Sequence, residues 1–223
     1  MPPITLTSLA SSCYNLDRVV PIHKRGSVGT PSLTIGVTGH RFLAEVDKVS
    51  AGIDRALARI EATFAPRQWR VLSALADGAD QLVTRHLLAR GSAQLIVLLP
   101  LPVDDYLQDL RSPQHFRDLL ARATETIPLP SAPTHDEAYA ALSRYLAAHC
   151  DLLIAVWDGR SAQGPGGTSE IVARVRAMGK PIAWVHAGNR MPGTEEPTTL
   201  GSEQGQLTLE RFPVACKPGQ RQE

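Results

Sequence analysis

Cysteine is scarce in this chain, and so are aromatic residues, excess charge of either sign and long apolar runs. The three cysteines, Cys13, Cys150 and Cys216, are scattered and odd in number. They form no CxxC pair and no disulfide framework, which suits a reducing cytosol. Seven histidines lack the close spacing of a metal site, so neither a metal nor another cofactor is expected. A net charge of +1 gives no general attraction for a polyanion, and nucleic acid is not expected as a partner. No stretch approaches membrane-span length, and no basic segment followed by a long apolar one opens the chain. A cytoplasmic protein without membrane attachment is expected.

What is present is globular material. The 223 residues are 43% hydrophobic and 20% charged, with room for one domain with a full core, plus tails. Residues 1–31, rich in Ser, Thr and Pro, read as a flexible leader with at most a short strand near Ile4–Leu6. From Leu33 onward, β-rich runs alternate with helical periodicity. Leu33–Thr38, Trp69–Leu75, Ala93–Leu99, Glu125–Leu129, Leu152–Trp157 and Pro181–His186 read as strands. Helical spacing covers Val46 to Phe64, a segment opened by Asp77-Gly78-Ala79-Asp80, Asp104 to Leu110, Gln114 to Thr124, Glu137 to Cys150, and Ile171 to Met178. Strands that are apolar throughout, alternating with helices, predict a mostly parallel sheet covered on both faces. Residues 32–187 therefore read as a Rossmann-like three-layer α/β sandwich. Residues 188–223 read as a tail with one candidate edge strand, Leu207–Val214.

In such a sheet, ligands sit outside the carboxyl ends of the strands, where the strand order reverses. Three unusual loops fall at that edge: Thr38-Gly39-His40-Arg41, Ser73 to Asp80, and Gly164 to Glu170. Glycines let backbone approach an anion, and the N–H groups of a first helical turn point at it. Arg41 directly after a glycine is placed to grip phosphate with its planar fork. The expected nucleotide-binding residues are Gly36, Thr38, Gly39, His40 and Arg41; Ser73, Gly78, Ala79 and Asp80; and Gly159, Gly166, Gly167 and Thr168. Each has a structural alternative. Gly39 and Gly78 can serve turns alone, Asp77 and Asp80 can cap a helix, and His86 reads as a core histidine on an apolar helical face.

Glu170 is an extra carboxylate on the last of these loops. With Thr168 as N-cap, a capping box would need Glu or Gln at position 171, which is Ile171. A carboxylate beside phosphate would repel it, so Glu170 is expected to face the sugar. There it can bond ribose hydroxyls or steady an oxocarbenium-like transition state, with Asp158 as its partner.

Thr38-Gly39-His40-Arg41, the Ser73–Asp80 loop and Ala155-Val156-Trp157-Asp158-Gly159 followed by Gly164-Pro165-Gly166-Gly167-Thr168-Ser169-Glu170 resemble the SLOG superfamily. That group includes the lysine-decarboxylase-like (LOG) phosphoribohydrolases and the DNA-processing protein A domains; the TGHR signature is similar to that of a bacterial subgroup. The resemblance spans about Leu33 to His186. Nucleoside deoxyribosyltransferases are similar in layout, with a strand-end Asp and a downstream glycine loop and Glu. Phosphoribohydrolases carry PGG, a spacer, GT, two residues and the catalytic Glu. Here the spacer and second GT glycine are absent, and the carboxylate stands about 100° around the helix from the family position. The resemblance implies the fold and the ligand class more strongly than the reaction.

The expectation is a domain that binds a nucleotide or a nucleotide-derived ligand as a sensor or processing module. Phosphate would lie on the glycine loops and Arg41, and ribose near Asp80, Asp158 or Glu170. The alternatives are an N-glycosidase or ribosyl transferase using Glu170 and Asp158, and a non-catalytic protein-interaction module. Relatives with this layout often build sites across dimers, which implies a homo-oligomer.

Overall fold

A computed structural model describes residues 31–64, 67–91, 93–160 and 167–213. The leader with its Ile4–Leu6 run, Cys13, Cys216, and the Gly164-Pro165-Gly166 stretch lie outside the described residues.

The described chain is a seven-stranded sheet in the order β4-β3-β2-β1-β5-β6-β7. The strands are β1 (Ser32–Gly39), β2 (Gln68–Ser73), β3 (Ala93–Leu99), β4 (Ala123–Pro128), β5 (Leu152–Trp157), β6 (Ile182–His186) and β7 (Leu207–Glu210). All pair in parallel except β7, which runs antiparallel to β6. The helices are α1 (Val46–Thr63), α2 (Ala79–Ala89), α3 (Val103–Gln108), α4 (Pro113–Leu120), α5 (His135–His149) and α6 (Thr168–Ala177). The fold is Rossmann-like.

The central strand shows why the apolar runs fold this way. All six residues of β5 are buried, because helices cover both of its faces. α1 packs against α2, and α2 against α4, while α5 packs against α6. Right-handed crossovers account for the split: β1 to β4 step one way and β5 and β6 the other, so their helices fall on opposite faces. The chain reverses direction across the sheet between β1 and β5.

α1 buries Val49, Ile53, Leu57 and Ile60 of the helical spacing, with Ala56 beside them, while Val46 at its first turn is exposed. α2 corrects one expectation. Its buried apolar face is Val83 and Leu87, and His86 lies at its edge, 3.0 Å from the Asp54 carboxylate of α1. His86 links two helix surfaces and is not a core residue.

Gln204 is one of the side chains that fasten the residues after β6 to the body, with Arg55 on the Gly205 carbonyl and Arg176 on Glu210. Gln204 is buried; its Oε1 accepts from the N–H groups of Gly188 (2.9 Å) and Leu200 (3.1 Å), and its Nε2 donates to the Ala44 carbonyl (2.8 Å). Burying one polar group that satisfies three backbone groups stabilises a loop-rich segment that little apolar packing could hold. The same segment closes one side of the cleft described next.

Candidate functional site

The β1 turn is locked in place from both sides. The His40 N–H donates to the Val156 carbonyl of β5 (2.9 Å), and the His40 carbonyl accepts from the Ala79 N–H that starts α2 (3.0 Å). A Cβ on Gly39 would press on the Val156 carbonyl and stand 2.5 Å from the Ala79 Cβ. Gly78 has φ +73°, and its Cβ would meet the His40 and Arg41 carbonyls. Both glycines are therefore required by packing between the first two loops.

At this edge lies a cleft of about 930 Å3. It is lined by Thr38, Gly39, His40, Arg41, Asp80, Asp158, Gly167 and Thr168 among the expected residues. The other expected residues among those described do not line it. Gly36 sits mid-strand, where a Cβ would meet Cys150 and Leu146 of α5. Ser73 and Ala79 are buried, and Gly159 (φ +78°) packs beneath the Trp184 ring. Gly78 lines a smaller adjoining pocket of about 460 Å3, and Gly166 lies outside the described residues.

Two acid expectations change. The N-cap of α2 is Gly78, so neither Asp77 nor Asp80 caps it. Asp77 instead accepts from the N–H groups of Arg111 (2.7 Å) and Ser112 (3.3 Å), which fixes the loop before α4. Asp80 is buried on the first turn of α2, where its carboxylate accepts from the Ser73 hydroxyl (3.3 Å). Burial pushes its carboxyl up to about 7; Ser73, the Ala76 and Ala74 amides and Arg41 pull the other way.

The N-cap of α6 lies one residue before the expected one, and the helix starts at Thr168. Gly167 is the N-cap, so Glu170 occupies the third helical position. Its Oε1 accepts from Arg174 Nε (2.9 Å) and Nη2 (2.7 Å). The carboxylate turns along the helix, and its neighbours Ser169 and Ile171 line the cleft in its place. Asp158 does line the cleft. His40 Nε2 accepts from the Asp158 N–H at 3.0 Å, which requires the neutral ring. Burial lowers the His40 pKa, against the pull of the Asp158 carboxylate 3.2 Å away, and so favours that same neutral form.

Several lining residues carry no motif in the sequence. Arg41 donates to the Asp109 carbonyl (3.2 Å) and the Tyr139 hydroxyl (3.4 Å), and Tyr139 donates to the Asp109 carboxylate (2.7 Å). Burial and Asp109 push the Tyr139 phenol up to about 12. Arg111 and Arg190 both stack on Phe42, at 4.9 and 5.1 Å, and bring the α3–α4 loop and the segment after β6 together across the cleft. Among the described residues, no group of three or more His, Cys, Asp or Glu could hold a metal ion, and no helix is long and apolar enough to cross a membrane.

No protein-family model matches the chain, and no curated protein matches it. Solved structures do. DNA processing protein A from Streptococcus pneumoniae is similar over 73% of this chain and 51% of its own, at 17% identity and a TM-score of 0.48. The structural-genomics target TM1055 is similar over 67% of this chain and 72% of its own (15% identity, TM-score 0.42). The molybdenum cofactor carrier protein from Chlamydomonas reinhardtii is similar over 69% and 76% (19% identity, TM-score 0.39). This chain spans about half the length of the DNA processing protein A chain.

Proposed function

We propose that the cleft binds a nucleotide or nucleotide-derived small molecule, as a sensor or processing domain. One observation carries the reading: the Thr38–Arg41 turn, Asp158 and the first turn of α6 all line one cleft at the β1/β5 reversal of strand order. That position is where doubly wound sheets hold ligands. The start of α6 (Gly167, Thr168, Ser169) offers a phosphate the positive end of a helix, and Arg41 adds a full charge. Asp158 and Asp80 are acceptors for ribose hydroxyls. His40, held neutral, orients the Asp158 backbone between them.

A glycosidase reading would rest on Asp158, since the Glu170 carboxylate is engaged by Arg174. The binding reading needs no such step. It is tested by thermal shift with nucleoside mono-, di- and triphosphates and with NAD, because a ligand that binds only the native state raises its melting temperature. At least one should give a shift, and Arg41→Ala should abolish it. No shift with any nucleotide would sink the reading; a shift retained in Arg41→Ala would sink the phosphate role of Arg41.

A further inference from the structure

The smaller pocket beside the cleft has walls of a different kind. Its volume is about 460 Å3, within the range of small-molecule sites. Arg41, Arg85, Arg111 and His115 line it, against a single carboxylate, Asp77. That carboxylate is already engaged, since its two oxygens accept from the Arg111 and Ser112 N–H groups. The guanidinium groups are not balanced in the same way. Arg85 has no ion-pair or hydrogen-bond partner among the described residues. Arg41 donates only to neutral oxygens, the Asp109 carbonyl and the Tyr139 hydroxyl. Arg111 pairs with Glu195 at 3.4 Å, but both side chains are more than half exposed, and Glu195 does not line this pocket. With His115 neutral, three arginines against one carboxylate leave the lining with an excess of two positive charges.

Much of the remaining lining is hydrocarbon, from Phe42, Leu43, Val46, Leu82 and Pro197. Val46 is 45% exposed on the first turn of α1, so it adds little to the core. A β-branched residue gains nothing for the helix there either. Arg111 stacks on Phe42 at 4.9 Å, which orients its guanidinium beside this apolar wall. These walls repel a cation, and a purely apolar molecule leaves the arginines unused. A small molecule with an anionic head and an apolar body uses both.

We propose that this pocket is a second ligand site, which takes a small organic anion. Its carboxylate or phosphate head meets Arg85 and Arg111, and its apolar body lies on Val46, Leu82 and Phe42. The site stands apart from the nucleotide reading, because neither Arg85 nor Val46 lines the cleft.

The test is an NMR titration of the full chain with 3-phenylpropionate and phenyl phosphate, which carry the two heads. The neutral 3-phenylpropanol lacks the charge, and acetate and inorganic phosphate lack the body. At least one aryl anion should saturate the protein with a Kd of about 1 mM or lower. The alcohol and the bare head group should bind at least about fivefold more weakly. Both positions to be changed are exposed, so the variants should keep the fold. Arg85→Gln should lose about fivefold in affinity for the aryl anion. Val46→Asp puts a carboxylate into the pocket at a helix start that favours one, and should lose about tenfold. Arg160→Gln removes the same charge from a residue that lines the cleft alone, and should change nothing. Saturation by neither aryl anion, full affinity in either Arg85→Gln or Val46→Asp, an equal loss in Arg160→Gln, or equal binding of the alcohol or the bare head would each overturn the site. The nucleotide reading stands or falls separately, on the thermal shift with nucleotides.

Discussion

The loop after β2 and the loop after β5 leave the same edge of the sheet, yet they spend their polar groups in opposite ways. In the β2 loop, Ser73, Asp77, Asp80 and Gln81 turn inward onto backbone: the Ser73 hydroxyl accepts from the Leu75 N–H (3.0 Å), and Gln81 donates to the Leu75 carbonyl (3.2 Å). Leu75 itself is held at φ +56°, an unusual conformation for a bulky residue. On the β5 side, Asp158 and the Gly167–Ser169 turn face the cleft, and Gly167, at φ −82°, needs no glycine for its backbone. The β2 loop is chiefly a scaffold, although its Asp77 and Asp80 also reach the cleft wall, and the β5 side is a surface. Glycines and acids of the same sequence appearance therefore belong to two physical classes.

The sharpest way to break this contrast is to add one methyl group to each loop. Gly78→Ala should cost more than about 3 kcal/mol, since a positive φ is combined with a clash against the backbone carbonyls of the β1 turn. Gly167→Ala should cost about 1 kcal/mol or less. Denaturant titrations of the two variants measure both, and similar losses would erase the distinction.

A smaller effect separates the acids by pH. The raised pKa of Asp80 means that the native protein holds a proton which the unfolded chain releases. Stability should therefore fall as pH rises from about 4 towards about 7, by on the order of a few kcal/mol. Asp80→Asn should flatten that slope and melt several degrees above wild type at pH 8, with little difference at pH 5. An unchanged slope in calorimetric melts would show that Asp80 is charged in the fold at neutral pH.

The smallest expected effect is at Glu170. Its pair with Arg174 is partly exposed and spaced i, i+4, so Glu170→Gln should change stability by about 0.5 kcal/mol or less. Nucleotide affinity should be intact. If the wild type turns over nucleoside monophosphates or NAD, abolished turnover in Glu170→Gln would make Glu170 the working carboxylate, and retained turnover would pass that role to Asp158.

Much of the fold was legible because it rests on local pattern. Ala93–Leu99 and Leu152–Trp157 are strands at the residues read from the sequence, since an apolar run bounded by turn residues has few other uses. The candidate cleft was legible where glycine and charge fall in strand-to-helix loops, as at Thr38–Arg41 and Thr168, which line it. Tyr106 and Tyr139 escaped notice because an aromatic residue on a helix carries no motif of its own, and only the tertiary fold sets it in the wall of a cleft. Phe42, Arg111 and Arg190 are remote in sequence and meet only when the segment after β6 folds back. Asp77 misled for a related reason. Its capping position is a local signal, and its actual partners, Arg111 and Ser112, are not local.

The interlock of the β1 turn with β5 and α2 has a kinetic consequence. The cleft draws on residues near 40, 80, 109, 139, 158, 168 and 190, so closing it means closing the longest loops in the chain. His40 has no Val156 carbonyl to bond until β5 has docked beside β1, after some hundred intervening residues have folded or been set aside. The cleft is thus a late product of folding: a chain stalled with only β1 to β4 assembled would have part of its core and no complete cleft.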